Sequence, residues 1–373
     1  MINLDRDNLF RLGGLAILLC SLVGAWVMMD YRSFVNDPLS FEKDGLRYEI
    51  KSGKTLTHVA RDLQRRGLID SASYLVWLGK FEGMANNIKA GEYRFNDGIL
   101  PERLLEQITK GEMLQYAITV VEGWNFRQLM DAVHSNEYFL HTLSDYSDEE
   151  IMAQIGHPGE HPEGLFLPDT YYFPRLTTDV AFLPRAYEAT QFFLSKNWPE
   201  RSIDVEFKTP FEALIMASIV EKETGLPSER KQIAGVFNRR LQKRMRLQTD
   251  PTVIYGLGKS FDGNIRRRDL RKDSPYNTYL HRGLPPTPIA MPGRAAILAA
   301  LNPMPGIDLY FVARGDGGHK FSATLEQHNA AVVEYQLGGR ARPFSSLPKG
   351  KLGSKRSTKT PPKLSVKLSS KKE

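Results

Sequence analysis

The first strong pattern along the chain is apolar. LGGLAILLCSLVGAWVMM, Leu12 to Met29, is 18 residues without a charge. That is the lower end of the length that spans a bilayer. The run closes on Val27, Met28, Met29 and Asp30, without the small-x-small site of a cleaved signal peptide. The pattern therefore predicts an uncleaved anchor over residues 12–29, behind a short head of residues 1–11. Arg6 and Arg11 precede it, and Arg32, Lys43 and Arg47 follow, so charge leaves its orientation open. A linker over residues 30–46 comes next. Periodicity then changes quickly. Tyr48 to Ile50 alternates as a strand, and Leu56, Val59, Ala60 and Leu63 have helical spacing, closed by Gly67. A second helix is expected over Ser71–Phe81, with Tyr74, Leu75, Leu78 and Phe81 on its apolar side. Ile88–Phe95 reads as the returning strand, and Pro101–Lys110 as a further helix.

This strand–helix–helix–strand unit, residues 47–113, resembles a LysM module, a fold that in many proteins binds N-acetylglucosamine polymers. A spacer without sugar affinity fits the same pattern. The larger unit, residues 114–338, begins with a strand at Ala117–Val121 and an amphipathic helix at Asn125–Val133. Helices follow at Ala181–Asn197 and, almost wholly apolar, at Phe211–Lys222. Ser228 reads as the cap of the next helix, whose face is Ile233, Val236, Phe237 and Leu241, with Arg239, Arg240, Lys243 and Arg244 largely elsewhere. Asp250 before Pro251 reads as an N-cap with proline at N1. Leu309–Ala313 and His319–Ala323 form a hairpin, and Thr324 with Gln327 is a capping box for a last helix, Leu325–Gln336. Strands and helices mix without a βαβ rhythm, so the fold class is α+β.

Charge adds little to this picture once it is located. The net charge is +7, but Lys349–Glu373 holds nine Lys/Arg and one acid, which leaves the other 348 residues at −1. A basic tail over residues 339–373, with no aromatic after Phe344, is expected to be disordered. The near-neutral remainder gives no reason to expect nucleic acid. The single cysteine, Cys20, excludes an intramolecular disulfide and does not choose a compartment.

Few motifs are left for chemistry. His157 and His161 in HPGEH have an H-x3-H spacing, but Pro158, Gly159 and Pro162 forbid the helix that would align them. No metal site and no cofactor are expected. There is no GxSxG, and Ser218 lies inside an apolar face. Carboxylates remain. Glu221 continues the stripe of Leu214, Ala217 and Ser218, so it points to the packed side of its helix, where desolvation raises a carboxyl pKa. Glu223 lies about 200° around the helix and is expected in solvent or beside a base. On spacing alone, Glu221 is as compatible with a buried acid paired to an arginine as with catalysis.

ASIVEKET (Ala217–Thr224), LQTDPTVIYGLG (Leu247–Gly258), PYNTYLHRGLPPTPIAMPG (Pro275–Gly293), EGLFLPDTYYF (Glu163–Phe173) and GHKFSATLEQHN (Gly318–Asn329) together resemble the MltG/YceG family of endolytic murein transglycosylases. The resemblance covers about residues 10 to 340 and omits the basic tail. It implies an inner-membrane protein with a cytoplasmic N-terminus and a periplasmic body. It further implies cleavage of the MurNAc–GlcNAc β-1,4 bond of nascent glycan strands to a 1,6-anhydro-MurNAc end, beside peptidoglycan synthases. Glu221 matches the family's catalytic acid. Gln248, Asp250, Tyr276, Asn277, Tyr279 and Glu163 fall in the shared motifs as substrate-binding candidates. Asp250 is equally explained as a helix cap and Asn277 as a loop-shaping residue. Two alternatives stay open: a muramidase-type hydrolase using Glu221 with Glu163 or Asp169 as second acid, and a non-catalytic glycan-binding scaffold.

Overall fold

The computed structural model describes residues 6–42 and 44–337, with side chains from residue 10 onward. The basic tail and the first five residues lie outside the described residues. The chain divides after Gly306 into two units.

The first unit opens with α1 (Arg6–Asn36), whose segment Phe10–Asn36 is long and apolar enough to cross a membrane. The helix does not stop at Met29. Tyr31, Phe34 and Val35 give its last turns an apolar face, and Phe34 and Leu39 join the core of the next segment. The first seven residues of the expected linker, 30–36, are therefore helical, and their apolar side is packed. The strands β1 (Leu46–Ile50) and β2 (Gly91–Phe95) pair antiparallel around α2 (Leu56–Arg65) and α3 (Ala72–Phe81), with α4 (Pro101–Lys110) closing the core. Ser71 caps α3 as an acceptor for the Tyr74 N–H. The buried residues of α3 are Ala72, Leu75, Leu78 and Gly79, whereas Phe81 is 75% exposed, against the expectation that it faces the core.

The rest of the unit is assembled on short strand pairs. β3 (Gln115–Thr119) leads through a turn to α5 (Phe126–His134), which Asn125 and Gln128 start with a capping box. Then come β4 (Phe139–Leu140), α6 (Asp148–Gln154), β5 (Thr170–Pro174), β6 (Thr177–Thr178) and α7 (Asp179–Asn197). β3 pairs antiparallel with β5, and β4 parallel with β6. The mixture is α+β, as expected.

At its centre is α8 (Pro210–Glu223), started by the Thr209–Glu212 capping box with proline at N1 or N2. Ala213 to Val220 are all buried, the signature of a helix surrounded by protein. Its neighbours are α9 (Arg230–Gln242), α10 (Asp250–Leu257) and α11 (Arg294–Leu301). Two start signals differ from expectation. Glu229, not Ser228, is the N-cap of α9, and it makes no side-chain cap bond. Thr249, not Asp250, is the N-cap of α10; Asp250 lies inside the first turn, and its carboxylate accepts from the Tyr279 hydroxyl at 2.6 Å. Arg240 is not on the outer face: it is buried and donates to the Leu247 carbonyl at 2.6 Å.

The second unit holds the hairpin of β7 (Tyr310–Ala313) and β8 (His319–Ser322), followed by α12 (Leu325–Tyr335) with its Thr324–Gln327 capping box. Val312, Ala331 and Val332 form its small core.

Candidate active site

Glu221 sits in the last turn of α8, with its side chain 6% exposed. Three pieces of chain meet it there. The first is α9. A short turn after Thr224, held by the Leu226 N–H on the Thr224 hydroxyl, reverses the chain and returns Arg230 to the helix end. Arg230 Nη2 then contacts Glu221 Oε1 at 3.1 Å. The second is the start of α11, where the Gly293 N–H donates to Glu221 Oε2 at 3.0 Å. The third is the turn after β3. Gly123 there has φ +78, a left-handed conformation that glycine adopts freely. Its carbonyl accepts from Lys222 Nζ at 3.2 Å, and the turn is tied to the α11 approach by Gly123 N–H to Met291 O and Met291 N–H to Trp124 O.

That turn also carries Glu122. Its Oε2 lies 3.3 Å from the same Arg230 Nη2 that meets Glu221. Two carboxylates thus share one guanidinium nitrogen. A side chain at Gly293 would overlap the Glu122 carboxylate, which would have to swing away from its present position. Neither Arg230 nor Glu122 stood out in the sequence. They lie 108 positions apart, and only the α8–α9 reversal and the Gly123 turn bring them together.

The electrostatics of Glu221 are balanced between opposing influences. Burial raises its pKa above the usual carboxylate range, aided by the negative charge of Glu122; the Gly293 N–H and Arg230 pull against that rise. The carbonyl end of its own helix also disfavours a carboxylate, while the amide end of α11 favours one. The result is a group able to hold a proton and, once it has given it up, to rest as an anion on fixed donors. The Arg230 Nε is buried and finds no acceptor among the described residues.

The other expected residues fall into separate groups. Glu163 is buried; the Phe126 N–H donates to it at 3.1 Å. Burial pushes its pKa up to about 7, against hydrogen bonds from Tyr255 and from the Phe126 and Gly164 N–H groups. Tyr255 rests edge-on against Tyr276, whose hydroxyl meets Thr287 at 2.8 Å. Two residues further on, the Ile289 N–H bonds the Ser218 hydroxyl at 3.0 Å, which fastens this group to α8 one turn before Glu221. Ser218 itself donates to the Ile215 carbonyl, the ordinary behaviour of a core serine.

On the other flank, Asp250 and Tyr279 pair, and the Thr249 hydroxyl donates to Glu223 at 2.6 Å, so Glu223 is not simply in solvent. Gln248 is exposed and holds φ +50, a conformation that costs a non-glycine residue about 1 kcal/mol or more. Asn277 is 1% exposed and spends its amide on the Leu270 and Lys272 carbonyls, the loop-shaping role. Asp169 is half exposed and ion-paired to Arg294 at 2.8 Å. Burial works to raise its pKa, but Arg294 and the Thr170 N–H outweigh it and hold the carboxyl below its usual range. His157 and His161 lie in a loop, and no cluster of three or more metal-ligating side chains occurs among the described residues.

The Glu163 environment makes a stability prediction. The folded state holds the Glu163 proton up to about pH 7, whereas the unfolded chain releases it near 4.5. Folded protein therefore binds more protons between those values, and stability falls as pH rises through them, by on the order of 3 kcal/mol. Glu163→Gln keeps the acceptor for the Phe126 N–H and removes the titration. Urea unfolding across this range should show a steeper loss for wild type than for Glu163→Gln. Parallel curves would mean that Glu163 is ionised in the folded protein throughout.

The YceG-like family model matches residues 48–334. The endolytic murein transglycosylase of Bacillus subtilis (strain 168) is 31% identical over 318 residues, 79% of this chain and 86% of that protein. The endolytic murein transglycosylase of Streptococcus pneumoniae serotype 2 (strain D39) is 27% identical over 361 residues, 86% of this chain but only 64% of its own longer length. A solved structure of a yceG-like protein from Listeria monocytogenes is 29% identical, covers 78% of this chain and 99% of its own, and superposes with a TM-score of 0.51.

Proposed function

The chain belongs to the YceG-like family, and on that premise we propose that it is an endolytic lytic transglycosylase of peptidoglycan with Glu221 as its single acid and base. It is an enzyme of the class its relatives are named for, a lyase acting on peptidoglycan. The observation that carries the finer reading is the placement of Glu221: buried, which raises its pKa, and supplied with the Gly293 N–H and Arg230 for the anion that forms on proton transfer.

The reaction balances with one carboxyl group. Protonated Glu221 gives its proton to the oxygen of the MurNAc–GlcNAc β-1,4 bond, and the C1–O bond breaks toward the departing GlcNAc hydroxyl. The Glu221 carboxylate, held by Arg230 and Gly293, then removes the proton from the C6 hydroxyl of the same MurNAc. O6 closes on C1, leaving a 1,6-anhydro end and restoring the acid. No water is consumed. Asp250, Tyr279, Gln248 and Tyr276 offer hydroxyl, carboxylate and amide groups suited to sugars; Asn277 is better assigned to loop shape.

A second reading has a specific observation behind it. Glu122, rather than Glu163 or Asp169, is the carboxylate that shares a partner with Glu221, and a hydrolase could use it to activate water. Arg230 between the two favours the lytic reading, because it already engages the Glu122 carboxylate that would have to activate a water. Glu122→Gln should therefore keep at least about a tenth of wild-type cleavage and still give anhydro ends; removing a true second acid costs about 100-fold or more. Mass spectrometry of products from uncrosslinked strands decides this. Reducing ends, lost with Glu122→Gln, would establish the hydrolase.

The surroundings extend the proposal. We read α1 as a single-pass anchor in the inner membrane, N-terminus in the cytoplasm and bulk in the periplasm. The β1–α2–α3–β2 order supports a LysM-like module over residues 47–113, ahead of a transglycosylase domain over residues 114–338. Nascent glycan strands are the substrate, and peptidoglycan synthases are natural neighbours for an enzyme that cuts them at the membrane.

A further inference from the structure

Among the described residues of 37–113, three large apolar side chains are well exposed: Trp77, Phe81 and Leu100. Two of them stand together. Trp77 is 41% and Phe81 75% exposed, one turn apart on the outward side of α3, away from its buried residues Leu75 and Leu78. An exposed Trp and Phe on one helix side need an explanation when the rest of that helix is well packed.

Their position relative to α1 supplies one. The Tyr31 ring lies 6.3 Å from Trp77, 6.2 Å from Phe81 and 5.7 Å from Tyr74, centroid to centroid. The Tyr74 hydroxyl donates to Asp30 at 2.8 Å. Four aromatic rings are thus gathered around one level of α1. That level is set by the span. Phe10 to Met29 is uninterrupted by acid and broken only by Arg11 near its start. At 1.5 Å per residue it covers about 30 Å, the thickness of the hydrocarbon core. Tyr31 stands two residues past its end, at the depth where Trp and Tyr collect in membrane proteins. Asp30, the first charge after the span, is already partnered by Tyr74, and Lys80, beside Phe81, is exposed and positioned to reach lipid phosphate.

We propose that Tyr31, Trp77 and Phe81 form an interfacial seat that rests the 47–113 module on the headgroup layer of the same bilayer that α1 crosses. The occupant of the exposed face of α3 is lipid, since Trp77 and Phe81 join, through the Tyr31 ring, the helix turns that directly follow the span. The module then rides on the membrane at a fixed height and orientation, because α1 packs on α3 and α4 instead of ending in a free tether. This rests on the reading of α1 as a membrane span.

The test is depth measurement by spin label, on the full chain in nanodiscs of phosphatidylethanolamine and phosphatidylglycerol. One protein is labelled at the native Cys20. Two others carry Cys20→Ser with either Phe81→Cys or Arg65→Cys, Arg65 being a solvent-exposed site of the same module. Collisions with oxygen, concentrated in lipid, are compared with collisions with a water-soluble nickel chelate. The label at 81 should show an oxygen-to-nickel ratio several-fold above that at 65 and below that at Cys20. Equal ratios at 81 and 65 would overturn the seat while Cys20 still reports the span. Protection of 81 from both reagents would mean a protein partner covers it, which also overturns lipid docking. An aqueous Cys20 would remove the anchor, and the seat with it.

Discussion

Glu221→Gln should lower cleavage of uncrosslinked glycan strands by a factor of about a hundred to ten thousand, the ordinary worth of a positioned general acid. The loss should fall on kcat, with KM little changed. Gln has the same shape and still accepts from the Gly293 N–H, while Arg230 keeps Glu122 as its counterion, so the fold has no new unpaired charge. The melting temperature should stay within a few degrees of wild type. Steady-state turnover beside a thermal melt checks both halves. A variant that cuts at near wild-type rate would make Glu221 the buried structural acid that its spacing alone also allowed.

Arg230→Gln should have the next largest effect, and its signature is in the pH profile. In the proposed mechanism turnover needs Glu221 protonated, so activity should fall as pH climbs through its pKa. Burial raises that pKa, and Arg230 restrains the rise. Without the guanidinium, Glu221 holds its proton to higher pH, and the alkaline fall moves upward. The rate on the plateau should drop at the same time, by about 10- to 100-fold, because the anion formed on proton transfer loses a charged hydrogen bond of roughly 1.5–3 kcal/mol. Stability should decline as well, since Glu122 and Glu221 then face each other uncompensated. Rate profiles with folding checked at each pH measure this. An alkaline limb that stays in place would detach Arg230 from the working acid.

Local pattern carried much of this fold and one end of the site. The charge-free run marked α1, the Thr324–Gln327 capping box marked the start of α12, and the stripe ending at Glu221 pointed inward as the structure has it. Where prediction failed, a distant partner had claimed the residue. Asp250 has the composition of a cap, but Tyr279 takes its carboxylate and Thr249 holds the cap position. Phe81 has the periodicity of a core residue, but Tyr31, fifty positions earlier, draws it to the outside. Arg230 and Glu122 carry no local signature at all.

The most direct measurement is the fate of solvent oxygen. Uncrosslinked strands are digested by the full-length enzyme in water enriched in heavy oxygen, and the newly formed MurNAc ends are weighed by mass spectrometry. A waterless, single-acid cleavage at Glu221 predicts anhydro ends with no heavy oxygen in them. Reducing ends carrying one heavy oxygen each would show that water attacks C1, and would contradict it.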